Sequence, residues 1–196
     1  MSSDERPVVL VIDDEESILR IFETWLADEY AVRTATNGSD GLDKLDETVD
    51  VVLLDRRMPG MSGDDVLTAI AERDGACQVA VVTAVDPDFE IAEMPFDTYV
   101  TKPLDRPAVV EVVERLLARA EYDSLVQEHY ALAEKLATLE SEKTDAELAT
   151  SERYQEAAER FADLDARLAE QSTSLDREDI VRSIPDAAAE TEPSND

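Results

Sequence analysis

The first hundred residues alternate short, wholly apolar runs with longer stretches in which apolar residues recur every three or four positions. Val8 to Ile12 is the first run; it ends in Asp13 and Asp14 and predicts a strand buried on both faces. Ile18, Phe22, Trp25 and Leu26 follow at helical spacing. Tyr30 to Ala35 alternates as a second strand, Asn37-Gly38 turns the chain, and Leu42 and Leu45 mark a short helix. Val51 to Leu54 is again solidly apolar and ends in Asp55, and Val66, Leu67 and Ile70 predict a helix closed by Asp74-Gly75. Val79 to Val82 runs up to Thr83, Pro87 to Met94 is a weakly amphipathic helix, and Thr98 to Thr101 is a short strand before Lys102-Pro103. Asp105 caps a last helix with Pro107 near its first turn and Val109, Val112, Val113, Leu116 and Leu117 on its apolar face.

Strands alternating with helices predict an α/β domain, a parallel sheet covered on both faces. In such sheets ligands bind beyond the carboxyl ends of the strands. Asp13, Asp14, Asp55, Thr83 and Lys102 each end a strand or immediately follow one. Converging strand ends would gather three carboxylates, which repel one another unless a cation intervenes. Few hard oxygens suit Mg²⁺, which keeps several of its waters. Lys102 offers a positive point charge for a phosphoryl oxygen, and Thr83 a hydroxyl. An aspartate nucleophile, a metal, a lysine and a hydroxyl form the kit for making an acyl phosphate.

Four segments resemble the response-regulator receiver family: VIDDEES at 11–17, LLDRRMPGMSG at 53–63, VTA at 82–84 and YVTKP at 99–103. The resemblance covers residues 7–119 and implies a flavodoxin-like (βα)5 doubly wound sheet. It also implies Asp55 as phosphoacceptor, fed by a partner sensor histidine kinase. Asp14 is then a direct Mg²⁺ ligand, Asp13 a direct or water-mediated one, and the main-chain carbonyl of Arg57 completes the protein's share. Thr83 and Tyr99 become the switch pair and Lys102 the phosphate-sensing lysine. The position of Arg57 influences how long the acyl phosphate survives. Such a protein is a signalling switch and not an enzyme, apart from slow loss of its own phosphoryl group. A Mg²⁺-dependent aspartate-nucleophile phosphohydrolase is the enzymatic alternative, but its nucleophile usually follows the first strand in a D-x-D pattern, where this chain has Asp13-Asp14-Glu15.

Beyond the receiver the pattern turns helical, with no glycine after Gly75 and no proline between Pro107 and Pro185. Tyr122, Leu125, His129, Leu132, Leu136 and Leu139 form one seam, and Tyr154, Ala157, Phe161, Leu164 and Leu168 another. The two are out of phase, so either a continuous coiled coil stutters or Thr144 with Glu147 caps a new helix and makes an antiparallel hairpin, which we prefer. YDSLVQEHYALAEKLATLE at 122–140 and SERYQE at 151–156 resemble the HalX domain of haloarchaeal regulators. The expected organisation is a receiver at 7–119, a HalX-like all-α unit at 120–172 and a disordered acidic tail at 173–196. His129, the only histidine, fits a half-buried seam position better than phosphotransfer, because no partner acid or four-helix bundle is evident. Phe22, Trp25 and Cys77 read as core residues.

The net charge of −30 changes the picture of the partners. Only four lysines occur, and the first 120 residues are well patterned, which fits a folded protein of a salty cytoplasm. Residues 121–196 hold 21 acidic against 7 basic side chains, so protein contact or a homodimer through the C-terminal helices is preferred to DNA reading. DNA-binding transcription regulation with the same receiver stays the alternative. One cysteine forbids an intrachain disulfide, and no apolar run approaches the about 20 residues that span a bilayer, so no membrane insertion and a cytoplasmic place are expected.

Overall fold

A computed structural model describes residues 6–73 and 77–182 of the chain. Five strands form one sheet: β1 (Val8–Ile12), β2 (Ala31–Ala35), β3 (Val51–Leu54), β4 (Gln78–Thr83) and β5 (Thr98–Thr101). All pair in parallel, in the order β2-β1-β3-β4-β5. Parallel neighbours cannot be joined by a hairpin, so each connection carries the chain across a face of the sheet. The helices α1 (Glu16–Leu26), α2 (Gly38–Lys44) and α3 (Gly63–Ala71) make three of these four connections, and α4 (Arg106–Glu142) follows β5.

Residue parity divides the interior. Val9 and Val11 of β1 pack with Leu19, Phe22 and Leu26 of α1 and with Val109, Val113 and Leu116 of α4. Leu10 and Ile12 face the other way, toward Val66, Leu67 and Ile70 of α3. Successive strand side chains alternate faces, so a strand between two cores must be apolar at every position. Phe22 is core as expected and stacks on the partly buried Trp25, ring centroids 5.8 Å apart. Cys77 packs half-buried against the second core, and burial pushes its thiol up from the ordinary range.

Three local expectations change. Asn37 does not merely turn the chain: its side chain accepts the Asp40 N–H at 2.9 Å and so caps α2. The helix expected over Pro87 to Met94 is a single 3-10 turn, Phe89–Glu93, whose one aromatic, Phe89, is fully exposed. A segment that buries so little apolar surface has nothing to hold a longer helix against the sheet. Asp74-Gly75, expected to close α3, lies outside the described residues, but the helix ends at Ala71 with Glu72 as its cap.

The chain divides into two compact units, with the division between Glu121 and Tyr122. That point lies inside α4, which continues unbroken through 37 residues to Glu142. No glycine or proline interrupts it after Pro107. In the second unit α4 is followed by α5 (Asp145–Thr150) and α6 (Glu152–Arg182). The pairing of the long helices is antiparallel: Tyr154 Oη donates to Glu140 at 2.7 Å, while His129 stacks on Phe161 with centroids 4.4 Å apart. Leu125, Leu136 and Leu164 are the buried residues between them. The hairpin therefore forms and the stuttering helix does not.

Thr144 and Glu147 make the capping box, but the helix they start is only six residues long and buries nothing. Ser151 ends it in extended geometry, and its Oγ accepts the Tyr154 N–H at 3.3 Å to begin α6. The return arm of the hairpin therefore starts one cap later than expected. It also continues to Arg182, into the segment expected to be disordered from residue 173; residues 183–196 lie outside the described residues.

Candidate functional site

Three strand ends meet in direct contact. Asp13 follows β1, Asp55 follows β3 and Lys102 follows β5, and the Lys102 Nζ lies 2.6 Å from Asp13 Oδ2 and 2.8 Å from Asp55 Oδ1. Asp13 is 3% exposed and Asp55 7%. The remaining carboxylate oxygens are also engaged: Asp13 Oδ1 accepts the Glu15 N–H at 2.9 Å and Asp55 Oδ2 accepts the Arg57 N–H at 2.7 Å. Both carboxylates are thus fixed in orientation by main-chain donors. One ammonium is shared between them.

Burial raises the Asp13 carboxyl above its usual range, and the bonds from Lys102 and Glu15 only partly counter it. Burial pulls Lys102 the other way, but its hydrogen bonds to the two aspartates outweigh this and hold it above its ordinary 10.5. The charges favour one another, yet two carboxylates share one positive partner. Room for more positive charge is built in.

Asp14 is exposed and lines a cleft of about 580 Å³ together with Arg56, Arg57, Met58, Asp86 and Asp88. Arg57 ties that cleft to the buried pair, since its N–H holds Asp55. No three carboxyl, imidazole or thiol groups gather closely enough to hold an ion by themselves among the described residues. Mg²⁺ does not require such a cage, because it binds through one or two carboxylates and completes its shell with water and phosphate oxygens. Each oxygen of Asp13 and Asp55 keeps a second lone pair beyond the bond it already accepts. The donor set therefore fits Mg²⁺.

Thr83 is fully buried at the end of β4; its carbonyl accepts the Lys102 N–H at 2.8 Å and its hydroxyl accepts the Val85 N–H at 3.4 Å. Tyr99 on β5 donates its hydroxyl to the Val85 carbonyl at 2.9 Å and packs on Phe96. Val85 thus touches both Thr83 and Tyr99.

Two positions escaped the sequence reading. Gly63 opens α3, and a Cβ there would lie 2.5 Å from the Asp55 carbonyl and 2.6 Å from the Arg56 Cα. Only a residue without a side chain lets the helix seat so closely on the loop after Asp55; the glycine that follows Ser62 was the available signal. Arg56 grips Asp64 in a fork, Nε to Oδ1 at 3.0 Å and Nη2 to Oδ2 at 3.3 Å. Nothing in the local pattern announced that pairing.

A parallel 2-1-3-4-5 sheet with two aspartates and a lysine at its carboxyl edge defines a receiver-type fold, and the family comparison agrees. Residues 9–114 match the response regulator receiver domain and residues 118–184 match the HalX domain. The chain belongs to the response-regulator receiver family and carries a C-terminal HalX domain. It is 42% identical to a candidate transcriptional regulator of Haloferax volcanii over 94% of this chain and 34% of that protein. It is 36% identical to the transcriptional regulatory protein ResD of Bacillus subtilis over 59% of this chain and 50% of that protein. The chain thus spans a third to a half of the length of these curated relatives. Among solved structures, the BeF3-activated DrrB receiver domain matches with a TM-score of 0.53 and 30% identity, over 57% of this chain and 97% of that one. The Thermotoga maritima response regulator TrrA in complex with Mg(2+)-BeF matches with a TM-score of 0.51 and 31% identity, over 57% and 99%. The haloarchaeal relative agrees with the halophilic composition. No helix among the described residues is long and apolar enough to cross a membrane.

Proposed function

We propose that the chain is the aspartate acceptor of a histidine-to-aspartate phosphorelay, charged by a partner sensor histidine kinase in the cytoplasm. The supporting observation is the Lys102 ammonium shared between Asp13 and Asp55. An Asp55 oxygen forms the new bond to phosphorus while the N–P bond of the donor phosphohistidine breaks, its electrons leaving with the imidazole. Lys102, already 2.8 Å from Asp55, pairs with the incoming phosphoryl oxygens. Asp13, Asp14, Asp55 and the Arg57 carbonyl would hold Mg²⁺, which when bound neutralises charge on those oxygens.

A phosphorylated Asp55 carries about one further negative charge, since the acyl phosphate replaces the carboxylate's own, together with new acceptor oxygens. The Thr83 hydroxyl is the buried donor drawn to them, which removes it from the Val85 N–H. Tyr99, bonded to the same residue 85, then changes its packing, and two arrangements of this face exchange population. The chain is a switch rather than an enzyme, with only slow loss of its own phosphoryl group. Output runs through the C-terminal hairpin by protein contact or a homodimer.

A second reading is DNA-binding regulation, favoured by the transcriptional-regulator names of the relatives. Against it stands the excess of 21 acidic over 7 basic side chains in residues 121–196. A salt-titrated binding assay with genomic fragments separates the two. The relay itself is tested by intact mass after incubation with acetyl phosphate and Mg²⁺ in high salt. Wild type gains one phosphoryl group and Asp55→Asn gains none. Undiminished uptake by Asp55→Asn refutes the assignment, and a phosphoryl group mapped to Asp13 supports a phosphohydrolase instead.

A further inference from the structure

The hairpin of α4 and α6 buries little of its own seam. Of the eleven seam positions, six from Tyr122 to Leu139 and five from Tyr154 to Leu168, only Leu125, Leu136 and Leu164 are buried. Two packed helices cover such a seam from within, but each flank of it needs a further layer. The flanks differ in charge. The residues one position before each seam residue include Glu128, Lys135, Arg153, Arg160 and Arg167, and eight of those eleven are charged. In an antiparallel pair these positions fall on one side of the hairpin, and Arg160 pairs with Glu128 across it. The residues one position after each seam residue form the other side, where only Asp123, Glu140 and Asp165 of eleven are charged. There Tyr130 is 70% exposed, Val126, Ala133 and Ala158 are half-buried, and Ala137 and Ala162 are exposed. Glu140 and Asp165 are already engaged, by the Tyr154 hydroxyl at 2.7 Å and by His129 Nε2 at 3.5 Å.

Resting on the reading of the hairpin as the output element, we propose that its weakly charged side docks onto the same side of a second copy and closes a four-helix bundle. A partner held by charge would take the other side, which carries four cations and four anions. This side offers short apolar groups and one phenol, and the chain itself supplies the match. Glu140 opposite Tyr154 and His129 opposite Phe161 set the register between the helices, which puts residue 130 level with Phe161 and Ala162. A two-fold axis along the helices then lays α4 of one copy antiparallel over α6 of the other. Each Tyr130 ring enters the room left by Ala158 and Ala162, a large side chain against small ones, twice over. The side is about 27 Å long, at 1.5 Å per residue from Tyr122 to Leu139, and about 20 Å wide. Two copies bury roughly 1,000 Å² before side-chain relief is counted, which reaches the threshold of a specific interface. A bland alternative is that the alanines serve helix propensity alone and the hairpin stays single.

Light scattering on the full chain in high salt, over a dilution series, distinguishes these. Wild type should show the mass of two chains without any phosphoryl donor. Ala162→Glu should weaken that dimer about 100-fold or more, since a symmetric interface buries the added carboxylate twice. Lys135→Glu, on the opposite side, should leave it within about 3-fold. Both positions are exposed, so both variants should keep the wild-type helical circular dichroism. The mass of one chain at every concentration overturns the proposal and leaves the surface to a different protein. A dimer indifferent to Ala162→Glu, joined through the receiver or the charged side, overturns it as well. If Ala162→Glu does not fold, a Tyr130→Cys chain mixed with an Ala162→Cys chain, both carrying Cys77→Ser, should form a disulfide that neither forms with itself. Absence of that mixed disulfide overturns it equally. Acetyl phosphate uptake is scored on the same wild-type sample. Its failure sinks the relay and leaves the pairing of hairpins standing, whereas a single-chain mass with normal uptake sinks the pairing alone.

Discussion

Lys102 Nζ stands 2.8 Å from Asp55 Oδ1 although their strands, β5 and β3, are not neighbours. The lysine stem must reach past the end of β4, where Thr83 accepts its main-chain N–H. The long unbranched side chain and the order of the strands together create the contact, and neither would do so alone.

Removing that ammonium leaves two buried carboxylates facing each other. Lys102→Met should lower unfolding free energy at neutral pH by about 3 kcal/mol, the usual result of orphaning buried charge. Asp13→Asn in the same chain should recover a large part of it. Denaturant titration in high salt measures both. The sign with pH follows from Lys102 lying above its ordinary 10.5. Its contribution is fully present below 10.5 and disappears as pH rises through the higher folded value. The difference between wild type and Lys102→Met should therefore shrink above pH 10.5, and a constant difference contradicts the pairing.

Gly63→Ala places a methyl group against main-chain atoms of residues 55 and 56, which cannot rotate away. We expect a loss of about 2 kcal/mol and slower phosphoryl uptake, because α3 must back off the loop that carries Asp55. Gly60→Ala is the control: its Cβ meets open space, and only the backbone angle of φ +83° opposes it. It should cost about 1 kcal/mol and leave more of the uptake rate intact. Thermal melts and acetyl phosphate kinetics on the two variants decide.

Thr144→Ala removes the side chain that accepts the Glu147 N–H and the group that the Glu147 carboxylate grips in return. Helix α5 buries no residue, so the cap is its main support. The local cost should be about 1 kcal/mol. Hydrogen exchange should accelerate at residues 145–150 with the receiver amides unchanged.

Leu164 is 2% exposed in the hairpin, whereas Leu139 is 38% exposed. Leu164→Ala should destabilise the hairpin by about 3 kcal/mol. Leu139→Ala should change it by less than about 1 kcal/mol. Circular dichroism melts of the two variants give the comparison, and equal effects would mean that the seam is wrongly placed.

The receiver was legible because burial on both faces writes itself as unbroken apolar runs. Val8 to Ile12 and Val51 to Leu54 could hardly be anything else, and each ended on the aspartate that the structure brings to Lys102. The Phe89 segment was misread because a few apolar residues near a proline look the same whether or not the sheet offers them a surface. The Thr144 box was visible, but the stop at Ser151 was not, since neither glycine nor proline marks it. Arg56 stayed hidden for a different reason: its partner Asp64 lies eight residues away, beyond the cap that starts α3, and meets it only after folding.

The division of the interior by odd and even positions of β1 has a further outcome. Val9 and Val11 answer to α1 and α4, while Leu10 and Ile12 answer to α3, and the backbone of the strand stands between the two sets. Truncations on opposite sides share no packing partner, so a pair such as Val11→Ala with Leu10→Ala should sum nearly independently, unlike two truncations on one side. The two halves of the interior are therefore free to vary separately through descent, and the ends of the strands, where Asp13 and Asp55 sit, are the place that must satisfy both.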